Sequence, residues 1–197
     1  MDFSCWLWVS SLVLPWPLLL YSRERPVLLV LMLSSTFTGL IITHFESQLA
    51  ACTVLTAFIP MLMGTGGNSG SQSSVAVIRS ISLGEVEFRD LPWIVWKEIR
   101  VSVICGVILA AANFGKMLLV DNWLIHNPEV SALVALAVSI TVIFVVMAAK
   151  TIGCMLPIAA KKVGLDPAVM ASPFITTIVD ALSLLAYFAV ASALLPL

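Results

Sequence analysis

Five long apolar stretches, roughly residues 26–45, 49–80, 93–120, 130–160 and 168–196, follow one another along a chain of 197 residues with short polar connections between them. About 20 apolar residues suffice for a helix to cross the roughly 30 Å of hydrocarbon in a bilayer. Inside that hydrocarbon no water is present to pair exposed backbone groups, so each crossing segment has to satisfy its own. The expectation is an all-α, polytopic membrane protein with five transmembrane helices per protomer.

Composition agrees. Hydrophobic residues make up 60% of the chain and charged residues 11%, against about 25% charged in an ordinary soluble domain. The mean hydropathy is +1.08. A formal net charge of −1 provides no basic field for nucleic acid. No second compositional regime marks a soluble domain, so residues 26–197 read as one membrane domain behind an N-terminal segment, 1–25. Within that segment CWLWVSSLVLPWPLLLY, Cys5–Tyr21, is apolar but carries Pro15 and Pro17. No basic residue precedes it, as a secretory signal would require, and its tryptophans suit the headgroup region. An interfacial helix is favoured over a sixth span. Cys5, Cys52, Cys105 and Cys154 lie singly in apolar segments without metal-ligand spacing, and read as small packing residues.

Lysines and arginines collect in cytoplasmic loops. With five spans, Arg23 and Arg25, the group Arg79, Arg89, Lys97 and Arg100, and the pair Lys161 and Lys162 all fall on one side. The opposite loops hold His44, Glu46, Asp121, His126 and Glu129, with Lys116 nearby. The N-terminus is therefore expected in the cytoplasm and the C-terminus outside. A mildly acidic outer face favours cations over anions.

By this count two charges lie deep within the spans, Lys150 and Asp180. Asp180 is thirteen residues beyond Pro167, roughly 20 Å along a helix rising about 1.5 Å per residue. A charge at the bilayer centre costs about 2.5–3.5 kcal/mol, which makes an intramembrane carboxylate a functional candidate. Thr176, Asp180, Ser183 and Tyr187 recur at helical spacing and share a face. Two readings follow: a pore wall with an ion site at Asp180, or a buried salt bridge from Asp180 to Lys150.

The stretch IPMLMGTGGNSGSQSSVAVIRS, Ile59–Ser80, interrupts an apolar span with glycines and polar residues. It reads as a broken helix, which membranes tolerate where backbone lines a watery cavity and which is common near transporter binding sites. Gly66 and Gly70 also form a GxxxG pair, which permits close helix packing. GNSG resembles the GxSG of rhomboid-type intramembrane serine proteases, whose serine needs a histidine base. No histidine lies inside a later span.

The same residues carry a longer resemblance. PMLMGTGGNSGSQSSVAVIRS resembles the second helix of the MgtE family of magnesium channels and transporters, where a proline leads to GxGGNxGxQ and a terminal arginine. GCMLPIAAKKVGLDPAVMASPFITTIVDALSLLAYF matches the family's G-x-x-LP, basic pair, DPA, P-x-x-T-T and membrane aspartate in order. With RPVLLVLMLSSTFTGLIITHFES, these cover the chain from about residue 25 onward.

The resemblance implies a homodimer in the cell membrane with a pore along its two-fold axis, conducting Mg²⁺ into the cell and not acting as an enzyme. Asp180 falls on the pore aspartate, with Thr176, Thr177 and Ser172 around the ion, and two protomers present two carboxylates. Mg²⁺ dehydrates reluctantly, so such a site would hold it through its water shell. Gly64, Gly66, Gly67, Asn68, Gly70 and Gln72 would form the broken-helix segment beside the pore. Other divalent cations are not ranked against Mg²⁺ by these residues. Three departures stand out. About 25 residues precede the first span, so the family's cytoplasmic N domain and paired CBS domains are expected to be absent. Ser172 is an asparagine in some members, and Lys150 a neutral asparagine. The alternatives from other classes are a non-transporting membrane scaffold and a rhomboid-like protease.

Overall fold

A computed structural model describes residues 15–124, 130–164 and 167–195, and the described residues are helical with no strand. The helices are α1, Pro15–His44; α2, Glu46–Ala51; α3, Leu55–Ser82; α4, Leu91–Lys116; α5, Ala132–Lys162; and α6, Pro167–Leu194. A 3₁₀ turn, Phe88–Asp90, precedes α4, and a π-helical stretch, Met117–Leu124, extends it. Among the described residues three helical stretches are long and apolar enough to cross a membrane: Phe88–Val120, Ala132–Lys162 and Phe174–Leu194. Helix α1 runs through residue 25 without interruption, so the expected boundary between an interfacial segment and a first span does not coincide with a helix end. Residues 1–14 of that segment lie outside the described residues.

Local chemistry sets the helix ends. The Ser131 hydroxyl accepts a hydrogen bond from the Val134 N–H at the start of α5, a cap worth about 1 kcal/mol. Gly84 and Gly164 follow α3 and α5 with φ of +74° and +78°, the left-handed geometry in which a helix commonly ends and glycine carries no Cβ penalty. Before α4, the Glu87 N–H donates to Asp90 Oδ2, and Pro92 sits in the first helical turn, where its missing N–H is harmless.

Helix α5 is the hub, packed against α3, α4 and α6. It is apolar nearly all round, as a surrounded helix should be, and Ala135, Val138, Val142, Val145, Val146 and Ala149 are all buried. Tyr187 and Phe188 of α6 are fully buried in the same core, with Phe45 stacked on Phe188 at 4.5 Å between ring centroids. Ile104, Val107 and Ile108 of α4 face outward. That is the surface a bilayer would cover.

Candidate functional site

The glycine-rich segment is not a break. Helix α3 continues from Leu55 to Ser82 through every one of its glycines, and the interruption in this part of the chain falls earlier, at Cys52–Val54. Positive φ among the described glycines is confined to Gly84 and Gly164. The broken-helix expectation for Gly64, Gly66, Gly67, Asn68, Gly70 and Gln72 is therefore corrected. What the glycines supply is the missing Cβ. A Cβ on Gly66 would stand 2.7 Å from Val179 Cγ1, 2.8 Å from Val145 Cγ1 and 2.9 Å from Ser183 Oγ. One on Gly70 would meet Ile175 at 2.8 Å and the Ala149 carbonyl oxygen at 3.1 Å. From the other side, a Cβ on Gly153 of α5 would overlap the Gly70 carbonyl oxygen. The GxxxG pair sits in a tight seam where α3 meets α5 and α6.

These contacts fix the register of α3 against α6. Gly70 lies opposite Ile175 and Gly66 opposite Val179, and the Tyr187 hydroxyl donates to the Leu55 carbonyl at 3.0 Å. The two helices run antiparallel, which brings Asp180 level with the stretch around Gly66. Thr176 stands beside Gly67, one turn before Asp180, and Thr177 is three residues before it. Ser172 is on the same helix, eight residues before Asp180.

The expected polar stripe on α6 divides in two. Ser183 is 2% exposed and donates to the Val179 carbonyl oxygen of its own helix, and Tyr187 is 0% exposed. Both belong to the packing core and neither lines a pathway. Thr176, Thr177 and Asp180 are only half-buried. Asp180 has no hydrogen-bond or ion-pair partner among the described residues. Nor do three His, Cys, Asp or Glu side chains come together among them in a group that could hold a metal ion.

The outer face of α3 is polar as well. Gly64, Asn68 and Gln72 are exposed at intervals of four, and Asn68, Ser71, Gln72 and Val75 line a shallow concavity of about 460 Å³. Amide side chains at hydrocarbon depth are costly unless hydrated or partnered. This face therefore requires water or protein against it.

Comparison with known proteins decides the family. The MgtE family profile, described as a divalent cation transporter, matches residues 59–190. The chain belongs to the MgtE family. It is 34% identical over 188 residues to the magnesium transporter MgtE of Thermus thermophilus, covering 91% of this chain and 40% of that protein. To the magnesium transporter MgtE of Bacillus subtilis it is 33% identical over 175 residues, covering 87% and 36%. The chain thus spans about 40% or less of the length of these relatives.

In this MgtE-family chain Lys150 does not pair with Asp180. Its Nζ lies 3.4 Å from Glu98 Oε2 and 3.2 Å from Ser73 Oγ, and Ser73 Oγ donates to the same carboxylate oxygen at 3.1 Å. The salt bridge considered for Asp180 is formed by Glu98 instead, which ties α3, α4 and α5 together. The sequence gives no sign of this partner, since counting depth along the apolar spans singles out Lys150 and Asp180 and passes over Glu98. Helix α4 begins at Leu91, so Glu98 is two turns inside it.

Membership in a transporter family also disfavours the protease alternative. The Ser69 side chain has no hydrogen-bond partner among the described residues, and its backbone is part of the unbroken helix α3. The His44 ring packs edge-on against Phe45 at the end of α1, and His126 lies outside the described residues.

Proposed function

We propose that this chain moves Mg²⁺ across the cell membrane, with Asp180 as its binding carboxylate and Thr176, Thr177 and Ser172 contributing oxygens nearby. The observation that carries the proposal is a half-buried Asp180 that has no hydrogen-bond or ion-pair partner among the described residues, one turn from the Thr176 that stands against Gly67 of α3, in a family described as divalent cation transporters. The relatives named as magnesium transporters support Mg²⁺ as the ion, and other divalent cations would compete for the same oxygens.

One carboxylate is a poor site for a doubly charged ion. A homodimer with the pore on its two-fold axis supplies two, and it covers the exposed amides of Asn68 and Gln72 with water or with the partner's surface. Mg²⁺ keeps its waters reluctantly exchanged and demands near-octahedral geometry, so two carboxylates set apart would bind the hydrated ion through its shell. The inward membrane potential then drives entry at about 2.3 kcal/mol per charge per 100 mV.

Five crossings, α1, α3, α4, α5 and α6, fit this reading. Helix α3 spans 28 residues, roughly 42 Å at about 1.5 Å per residue, and its mean hydropathy is lowered by the glycines of the packing seam and the amides of the polar face. Arg79, Lys161 and Lys162 gather at one end of the bundle. That end is assigned to the cytoplasm, which puts the N-terminus inside and the C-terminus outside. Purified protein in liposomes loaded with a Mg²⁺-sensitive dye tests the proposal. Protein-dependent entry of Mg²⁺ is expected, and a folded protein with no flux would leave only a scaffold.

A further inference from the structure

The basic end of the bundle carries a second concavity, remote from Asp180. It measures about 230 Å³ and is lined by Ile81, Val86, Glu87, Phe88, Ile158, Lys161 and Lys162. Its floor is apolar: Ile158 is buried in a cluster with Val77 and Cys154, against which Ile81 and Val86 pack. Its rim is cationic. Lys162 Nζ lies 3.8 Å from the centroid of the Phe88 ring, which turns that ammonium toward the cleft. Glu87 is the one acid on the lining, and Arg89 neutralises it at 3.1 Å. Among the described residues neither Lys161 nor Lys162 has an acidic partner.

Lysines in the last turn of a helix offset its negative end, and that accounts for their sign. It does not account for an apolar cleft beneath them. The surroundings indicate the depth: Leu83, Trp93, Trp96 and Val163 are all exposed at this end, and tryptophan concentrates at the headgroup level of a bilayer. A ligand here must carry negative charge at the water side and apolar substance below it.

We propose that this cleft binds the headgroup of an anionic phospholipid, the phosphate against Lys161 and Lys162 and the glycerol and upper acyl carbons along Ile81, Phe88 and Ile158. Basic clefts between transmembrane helices hold anionic headgroups in this manner. A free phosphate would meet the same lysines but gain nothing from the apolar walls. Helices α3 and α5 both end at the cleft, so a bound lipid bridges two of the helices that meet at the glycine seam.

Native mass spectrometry of the purified full chain, with phosphatidylglycerol or phosphatidylcholine added in detergent, tests this. Phosphatidylglycerol should be retained preferentially. The double variant Lys161→Gln, Lys162→Gln should reduce its retention about thirtyfold, the scale expected when two lysines near an anionic headgroup are removed at about 1 kcal/mol each. Lys116→Gln, in another part of the bundle, should leave it unchanged, with all three proteins showing the same melting profile. Equal retention of the two lipids, unchanged retention in the double variant, or an equal loss in Lys116→Gln overturns the proposal. So does displacement of the lipid by millimolar inorganic phosphate, which would make the site one for free phosphate. The readout is lipid occupancy, so it is independent of whether Mg²⁺ is transported.

Discussion

Lys150 Nζ and Glu98 Oε2 lie 3.4 Å apart between α5 and α4, their side chains 13% and 19% exposed, with Ser73 of α3 bonded to both. Removing one partner of such a buried pair strands the other charge, at a cost of about 3–5 kcal/mol. Glu98→Gln and Lys150→Met are each expected to destabilise the protein by about that much. The double variant should recover most of the loss, because no charge is then left without a partner. Unfolding in graded denaturing detergent measures all three. Additive losses in the double variant would mean that the pair is not a unit. Lys150→Met should also add independently to Asp180→Asn, since Lys150 is held by Glu98 and Ser73 and no ion pair joins it to Asp180.

Substitutions along the glycine seam should separate by position. Gly153→Ala puts a methyl group against the Gly70 backbone, where no side chain can move aside, and overpacking of this kind costs about 1–3 kcal/mol. Gly64→Ala meets nothing within 4 Å, and the nearest contact of Gly67→Ala is an ordinary 3.5 Å to Thr176. Thermal melting of the purified proteins should rank Gly153→Ala as the damaging change and the other two as near neutral. Equal damage at all three positions would contradict this packing account.

Tyr187 is a structural residue here despite its place on the polar stripe. Tyr187→Phe removes the hydroxyl that reaches the Leu55 carbonyl, a loss of about 1 kcal/mol, and should leave Mg²⁺ flux unchanged. A change in ion selectivity in this variant would return Tyr187 to the pathway.

The helices were legible in the sequence because the bilayer leaves the backbone few alternatives. Ala132–Lys162 and Pro167–Leu194 fall within two residues of the apolar runs that forecast them. The glycine segment misled for an instructive reason. Glycine disfavours helix in water by about 1 kcal/mol relative to alanine, but in α3 the close approach of Gly66 and Gly70 to α5 and α6 and the need to pair every backbone group outweigh that preference. Periodicity correctly put Thr176, Asp180, Ser183 and Tyr187 near one side of α6, yet it cannot say what that side meets. Ser183 and Tyr187 meet α3. Partner choice was equally invisible: Glu98 and Lys150 are 52 residues apart, and only the packing of α4 on α5 joins them.

The central claim rests on Asp180, and Mg²⁺ entry into liposomes through the Asp180→Asn variant measures it most directly. Exchanging the carboxylate for an amide forfeits about 1.5–3 kcal/mol for each charge-assisted hydrogen bond to the ion's water shell. Entry should therefore fall at least about tenfold, while the protein melts no earlier than the parent because an intramembrane charge has been removed. An Asp180→Asn protein that is folded and carries Mg²⁺ at the parent's rate would contradict the assignment.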